Sequence, residues 1–89
     1  MKSRTTRRFR DAFAVLPAKV QQQAREAYRL FRLNPAHPGL QFKKVHTTLP
    51  IYSARIGIGY RALAGLKAAD VIWFWIGPHA EYDRILAQI

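Results

Sequence analysis

Ile51-Tyr52-Ser53-Ala54-Arg55-Ile56-Gly57-Ile58-Gly59-Tyr60-Arg61-Ala62-Leu63-Ala64-Gly65-Leu66 decides the fold. Tyr52, Ala54 and Ile56 alternate with Ser53 and Arg55, the period of a half-buried strand. Gly57-Ile58-Gly59 supplies the flexible backbone of a tight turn, and Tyr60–Leu66 reads as the returning strand. On the C-terminal side, Lys67–Asp70 is a turn. Asp70–Ile76 is rich in β-branched and aromatic residues without alternation, as in a strand covered on both faces. Gly77-Pro78 breaks it, and His79–Ile89 closes as a helix with Tyr82, Ile85, Leu86 and Ile89 on its apolar side.

Toward the N-terminus, Leu40-Gln41-Phe42 alternates, so 40–46 is expected as a strand. Val20, Ala24, Ala27, Tyr28 and Phe31 recur at helical spacing from 18 to about 33, and Asn34-Pro35 ends that helix. Phe9, Phe13 and Leu16 form one stripe of a shorter helix that Pro17 stops, and the two helices read as a hairpin. Residues 1–8 are polar and basic and are expected as a flexible arm. The order α-α-β-β-β-β-α indicates an α+β fold with a mainly antiparallel sheet. At 89 residues the chain is a single domain, 1–89.

Charge narrows the function. Fifteen Lys+Arg against five Asp+Glu give +10. Residues 1–50 carry eleven cations and two anions (+9), and residues 51–89 carry four and three (+1). Such an excess calls for a polyanionic partner: nucleic acid, an acidic protein or an anionic membrane. The longest apolar run, Val71–Ile76, is far short of the roughly 20 residues of a spanning helix, so no membrane role is expected. Ala12–Leu16 is too short for a signal-peptide core, although the Arg-rich start has some transit-peptide character. The absence of cysteine excludes disulfides, thiolate nucleophiles and cysteine zinc sites, and fits a reducing compartment.

Gly57-Ile58-Gly59-Tyr60-Arg61-Ala62 matches the dinucleotide fingerprint literally, but a strand rather than a helix is expected to follow it. His37, His46 and His79 lack the spacing of a helical metal pair, so no metal and no cofactor are expected. Arg55 and Arg61 flank one turn and fall on adjacent strands, either as solvated cations or as two forks that grip one phosphate. His79, Tyr82 and Asp83 share one face at a helix start. They read either as a cap with a tyrosine plugging the core or as a proton-transfer group. Trp73 and Trp75 are simplest as core.

Three pieces in this order resemble the RelE/ParE superfamily of bacterial toxins from type II toxin–antitoxin systems. They are the two-helix start ending at Asn34-Pro35, then Tyr52…Arg55-Ile56…Gly59-Tyr60-Arg61, then Trp75-Ile76-Gly77…His79-Ala80-Glu81-Tyr82-Asp83. The last piece looks most like the HigB branch. The resemblance implies a helical hairpin packed on one face of a four-stranded, mainly antiparallel sheet with a short C-terminal helix. It implies an acidic cognate antitoxin as partner, and a bacterial, cytoplasmic setting. It also implies ribosome-dependent mRNA cleavage without a metal, by attack of the RNA 2′-hydroxyl on the adjacent phosphate. Under that resemblance Arg61, Arg55, His79 and Tyr82 are the catalytic candidates: Arg61 on the phosphate, Arg55 beside it, His79 for proton transfer, Tyr82 near the aromatic that stacks on a base. Lys43, Lys44, Arg25, Arg29 and Arg32 are the candidate RNA-binding cations. Two alternatives stand beside this reading: a ParE-like toxin that poisons DNA gyrase, and a non-catalytic basic module that binds RNA or antitoxin.

Overall fold

The computed structural model describes residues 2–89. In chain order the elements are β1 (Lys2–Thr5), α1 (Arg7–Ala14), α2 (Ala18–Leu33), a 3-10 turn (Pro38–Leu40), β2 (Lys43–Lys44), β3 (Ile51–Ile56), β4 (Tyr60–Lys67), β5 (Asp70–Pro78) and α3 (His79–Ala87). One five-stranded sheet has the order β1-β5-β4-β3-β2. Strands β2 to β5 pair antiparallel, and β1 pairs parallel with β5. The architecture is therefore α+β with a mixed sheet, one strand more than the sequence indicated.

The extra strand is the segment expected to be a free arm. Lys2–Thr5 alternates no apolar residues, but its backbone completes the edge of β5. Two side chains fasten it: the Trp73 indole donates to Ser3 Oγ at 2.8 Å, and Arg4 lies 3.7 Å from Asp70. Thr6 then caps α1 by accepting from the Phe9 amide at 3.1 Å.

The expected strand over 40–46 shrinks to Lys43–Lys44. His37 Nδ1 accepts the Gly39 amide at 3.0 Å, which winds Pro38–Leu40 into a 3-10 turn. Gln41 then takes a left-handed conformation (φ 47°), which breaks the extended run. The other boundaries follow the sequence closely. Helix α2 ends at Leu33 with Asn34 as its C-cap, and α3 starts at His79.

The sheet separates two cores. On one face, Ala54, Ile56, Ala62, Ala64, Val71, Trp73 and Ile76 pack under Val20, Ala24 and Phe31 of α2, with Phe9 and Phe13 of α1 against them. On the other face, Ile51, Leu63 and Trp75 pack under Tyr82 of α3. A register shift between Leu63 and Ala64 pairs them with Trp75 and Trp73, leaving Phe74 as the extra residue of a bulge. Trp73 and Trp75, two residues apart, thereby reach opposite cores. This is the physical content of the missing alternation in β5. Both tryptophans are buried, as the sequence indicated.

Candidate functional site

The β3–β4 hairpin is symmetric about Ile58: Ile56 pairs with Tyr60, and Arg55 with Arg61. Arg61 in turn opposes Gly77 of β5. Directly opposed residues share a face, so both arginines stand on the α3 side, with Leu63 and Trp75. Lys43 pairs with Ser53 and joins this face one row further on. Gly77 is glycine for a reason. A Cβ there would meet the Trp75 ring at 2.6 Å, so the indole fills the position opposite Arg61.

Two like charges in register oppose folding, and an ordinary sheet places a carboxylate beside them. Here the five Asp and Glu side chains are all engaged elsewhere. Asp11 pairs with Arg7, Glu26 with Arg29, Asp70 with Arg4, Glu81 with Arg84, and Asp83 lies beside His79. Among the described residues, no carboxylate side chain pairs with Arg55, Arg61 or Lys43. Both arginines spend one N–H on main chain: Arg55 Nε donates to Gly57 O at 2.9 Å, and Arg61 to Tyr60 O at 3.2 Å. Those bonds orient the guanidinium groups and leave further donors of each fork unused. Those unused donors can bind an anion at this end of the sheet.

His79 closes the same end. Its backbone N–H donates to Gly59 O at 2.8 Å, which ties the first residue of α3 to the hairpin turn. Its ring stays half-exposed, 3.8 Å from Asp83 and edge-on to Tyr82 at 5.4 Å between centroids. An imidazole with a carboxylate beside it, on the helix whose first backbone N–H is tied to the turn between the two arginines, is a group that can carry a proton at this end of the sheet. Tyr82 itself is only 8% exposed and sits in the core with Ile51, Leu63 and Trp75. It supports His79 from beneath rather than offering a ring to solvent.

The remaining cations lie elsewhere. Lys44 pairs with Tyr52 and so belongs to the face of the helical hairpin. Arg25 lies over the Phe13 ring at 5.2 Å. Arg29 is gripped by both oxygens of Glu26. That bond holds the Glu26 carboxyl below its ordinary range and raises the Arg29 guanidinium in turn. Arg25, Arg29 and Arg32 all belong to α2, across the sheet from Arg55 and Arg61. The register thus puts Arg55, Arg61 and Lys43 on one face of the sheet, with the backbone of His79 tied to the turn between the two arginines, and leaves Arg25, Arg29, Arg32 and Lys44 on the other face. Gly77 and the Gly59 carbonyl were missed in the sequence. A glycine two residues after a tryptophan in an otherwise bulky strand was the available signal.

A second feature lies on the hairpin face. A cavity of about 640 Å³ opens between α1, α2 and the sheet, lined by Phe9, Phe13, Tyr28, Phe31 and Trp73, with Arg4 and Arg25 also on its wall. No three His, Asp or Glu side chains gather as a ligand set among the described residues. No helix among them is long and apolar enough to cross a membrane.

A helical pair on one face of a small mixed sheet, with a C-terminal helix across the other, is the fold of RelE-type toxins. Solved structures bear this out. YafQ from E. coli superimposes with a TM-score of 0.74 at 9% identity, over 91% of this chain and 96% of that one. The RelB–RelE antitoxin–toxin complex from Methanococcus jannaschii gives 0.72 at 15%, over 90% and 95%. The toxin–antitoxin complex RelBE2 from Mycobacterium tuberculosis gives 0.69 at 22%, over 89% and 91%. In sequence, the model of the ParE-like toxin domain matches residues 18–84, and the chain belongs to that family, within the RelE/ParE superfamily of toxins. No curated protein matches it in sequence.

Proposed function

We propose that this chain is the toxin of a type II toxin–antitoxin pair and that it cuts mRNA on the ribosome. The observation that carries the reading is the in-register pair Arg55–Arg61, free of any carboxylate side chain, beside a half-exposed His79. A protein gains nothing in stability from opposed guanidiniums, so their retention fits a ligand with concentrated negative charge. A phosphodiester supplies it.

In this reading the RNA 2′-hydroxyl gives up its proton as its oxygen bonds to phosphorus. The bond from phosphorus to the 5′-oxygen breaks, and that oxygen takes a proton. The products are a 2′,3′-cyclic phosphate and a 5′-hydroxyl. Arg61, with Arg55 beside it, meets the charge that grows on the non-bridging oxygens. His79, the histidine of the HigB-like ending, carries one of the two proton transfers. Lys43 extends the basic face toward the neighbouring nucleotide. No resident metal takes part.

The partner in this reading is an acidic antitoxin. The apolar cleft between α1, α2 and the sheet, with Arg4 and Arg25 on its wall and +10 on the chain, suits an amphipathic segment with acidic flanks. The test is primer extension on mRNA under translation with purified protein. Cleavage by wild type that is lost in Arg61→Ala and in His79→Ala supports the reading. Intact mRNA with trapped gyrase replaces it by the gyrase alternative, and intact mRNA with neither effect by a binding module.

A further inference from the structure

Ile58 is the most exposed large apolar residue of the described chain, at 88%. A lone exposed aliphatic group is ordinary on a protein surface. This one is not placed by chance flexibility. Its neighbour Gly57 takes a left-handed conformation (φ 58°) that favours glycine, and the end of the Gln23 side chain from α2 lies over it. The Gly57 carbonyl accepts from Arg55, and the Gly59 carbonyl accepts from the His79 backbone. The turn is held by two hydrogen bonds, from the Arg55 side chain on one side and from the His79 backbone at the start of α3 on the other. The only side chain at its tip is β-branched, where a turn ordinarily carries Asn, Asp or Gly. A local rule is broken at the tip of the turn that joins the strands of Arg55 and Arg61.

We propose that Ile58 is an apolar wedge that inserts against a nucleobase next to the phosphate held by Arg55 and Arg61, unstacking it from its neighbour. The inference rests on the ribonuclease reading above and deepens it. Attack by the 2′-oxygen needs that oxygen in line with the leaving 5′-oxygen, an arrangement that stacked single strands do not hold. Apolar side chains inserted between base steps unstack them in other nucleic-acid complexes, and single-stranded sites draw affinity from contacts with base faces. A rigid tip performs this without an ordering cost at binding. Ile58 is therefore a positioning residue: it touches a base, and the arginines hold the phosphate.

The test uses a short single-stranded RNA with 2-aminopurine beside a nucleotide whose 2′-hydroxyl is replaced by hydrogen, so that it binds without being cut. Unstacking brightens the probe. Wild type is expected to brighten it at saturation. Ile58→Ser is expected to bind about tenfold more weakly, the effect of losing a partly buried aliphatic contact, and to leave the probe dark at saturation. Ile58→Leu restores both, and the melting temperatures of all three agree because the side chain packs on nothing. Equal brightening by wild type and Ile58→Ser overturns the wedge while leaving the nuclease reading intact. Translated mRNA left intact by wild type overturns the nuclease reading and the wedge with it.

Discussion

Arg61→Ala separates function from stability at one position. The Cβ atoms of directly opposed antiparallel residues lie about 5 Å apart, and splayed guanidinium heads about 8 Å apart. At that distance two unit charges repel by about 0.5 kcal/mol in water and about 2 kcal/mol at an effective dielectric of 20. Arg55 and Arg61 are both half-buried, so relief of roughly 0.5–1 kcal/mol is expected. The single bond lost, from Arg61 to the Tyr60 carbonyl, offsets little of this. For a domain of this size that raises the melting temperature by about 2–8 °C. Catalysis moves the other way. Loss of a charged donor aimed at a developing oxyanion costs about 2.7–4 kcal/mol, or roughly a hundred- to a thousand-fold in rate. The assay pairs a thermal melt with single-turnover cleavage of ribosome-bound mRNA. A variant that melts lower and loses activity in step would show that Arg61 is structural, and undiminished cleavage would remove it from the site.

Binding of the free protein to single-stranded RNA should weaken by about 300-fold between 50 and 200 mM salt if six phosphates are contacted, as filter binding would show; a flat titration removes nucleic acid as the electrostatic partner. Tyr82→Ala should destabilise the chain by about 3–5 kcal/mol because it empties the α3-side core, whereas Tyr82→Phe should melt like wild type; a Tyr82→Ala variant that melts normally but cannot cleave would return the ring to the site. Charge reversal at Arg4 and Arg25 on the hairpin-side cleft should weaken antitoxin binding by calorimetry without slowing cleavage; wild-type affinity would place the antitoxin elsewhere.

Much of the fold was legible because its signals are local. Asn34-Pro35 stops α2, the alternation of Tyr52, Ala54 and Ile56 faces β3, and the glycines around Ile58 turn it back into β4. Strand β1 was not legible. Lys-Ser-Arg-Thr has no apolar period, and what holds it is a backbone ladder and an indole some seventy residues away. The contraction of the expected strand at 40–46 was hidden for the opposite reason. A single imidazole–amide bond at His37 and Gly39 overrides a plausible alternation. At the site, the adjacency of Arg55 and Arg61 could be read from their symmetric spacing about the turn. The separation of the α2 arginines onto the other face could not, because it depends on which side of the sheet α2 packs. Nor could the engagement of all five carboxylates elsewhere, which is what leaves the two arginines unpaired.

The most direct measurement is the chemistry of the ends left on an mRNA translated in the presence of the protein. Attack by the 2′-hydroxyl, with Arg61 on the phosphate and His79 moving a proton, leaves a 2′,3′-cyclic phosphate and a 5′-hydroxyl at each cut, and both the cuts and these ends vanish with Arg61→Ala. Cuts that end in a 3′-hydroxyl and a 5′-phosphate, or intact mRNA accompanied by gyrase-linked breaks in DNA, would contradict it.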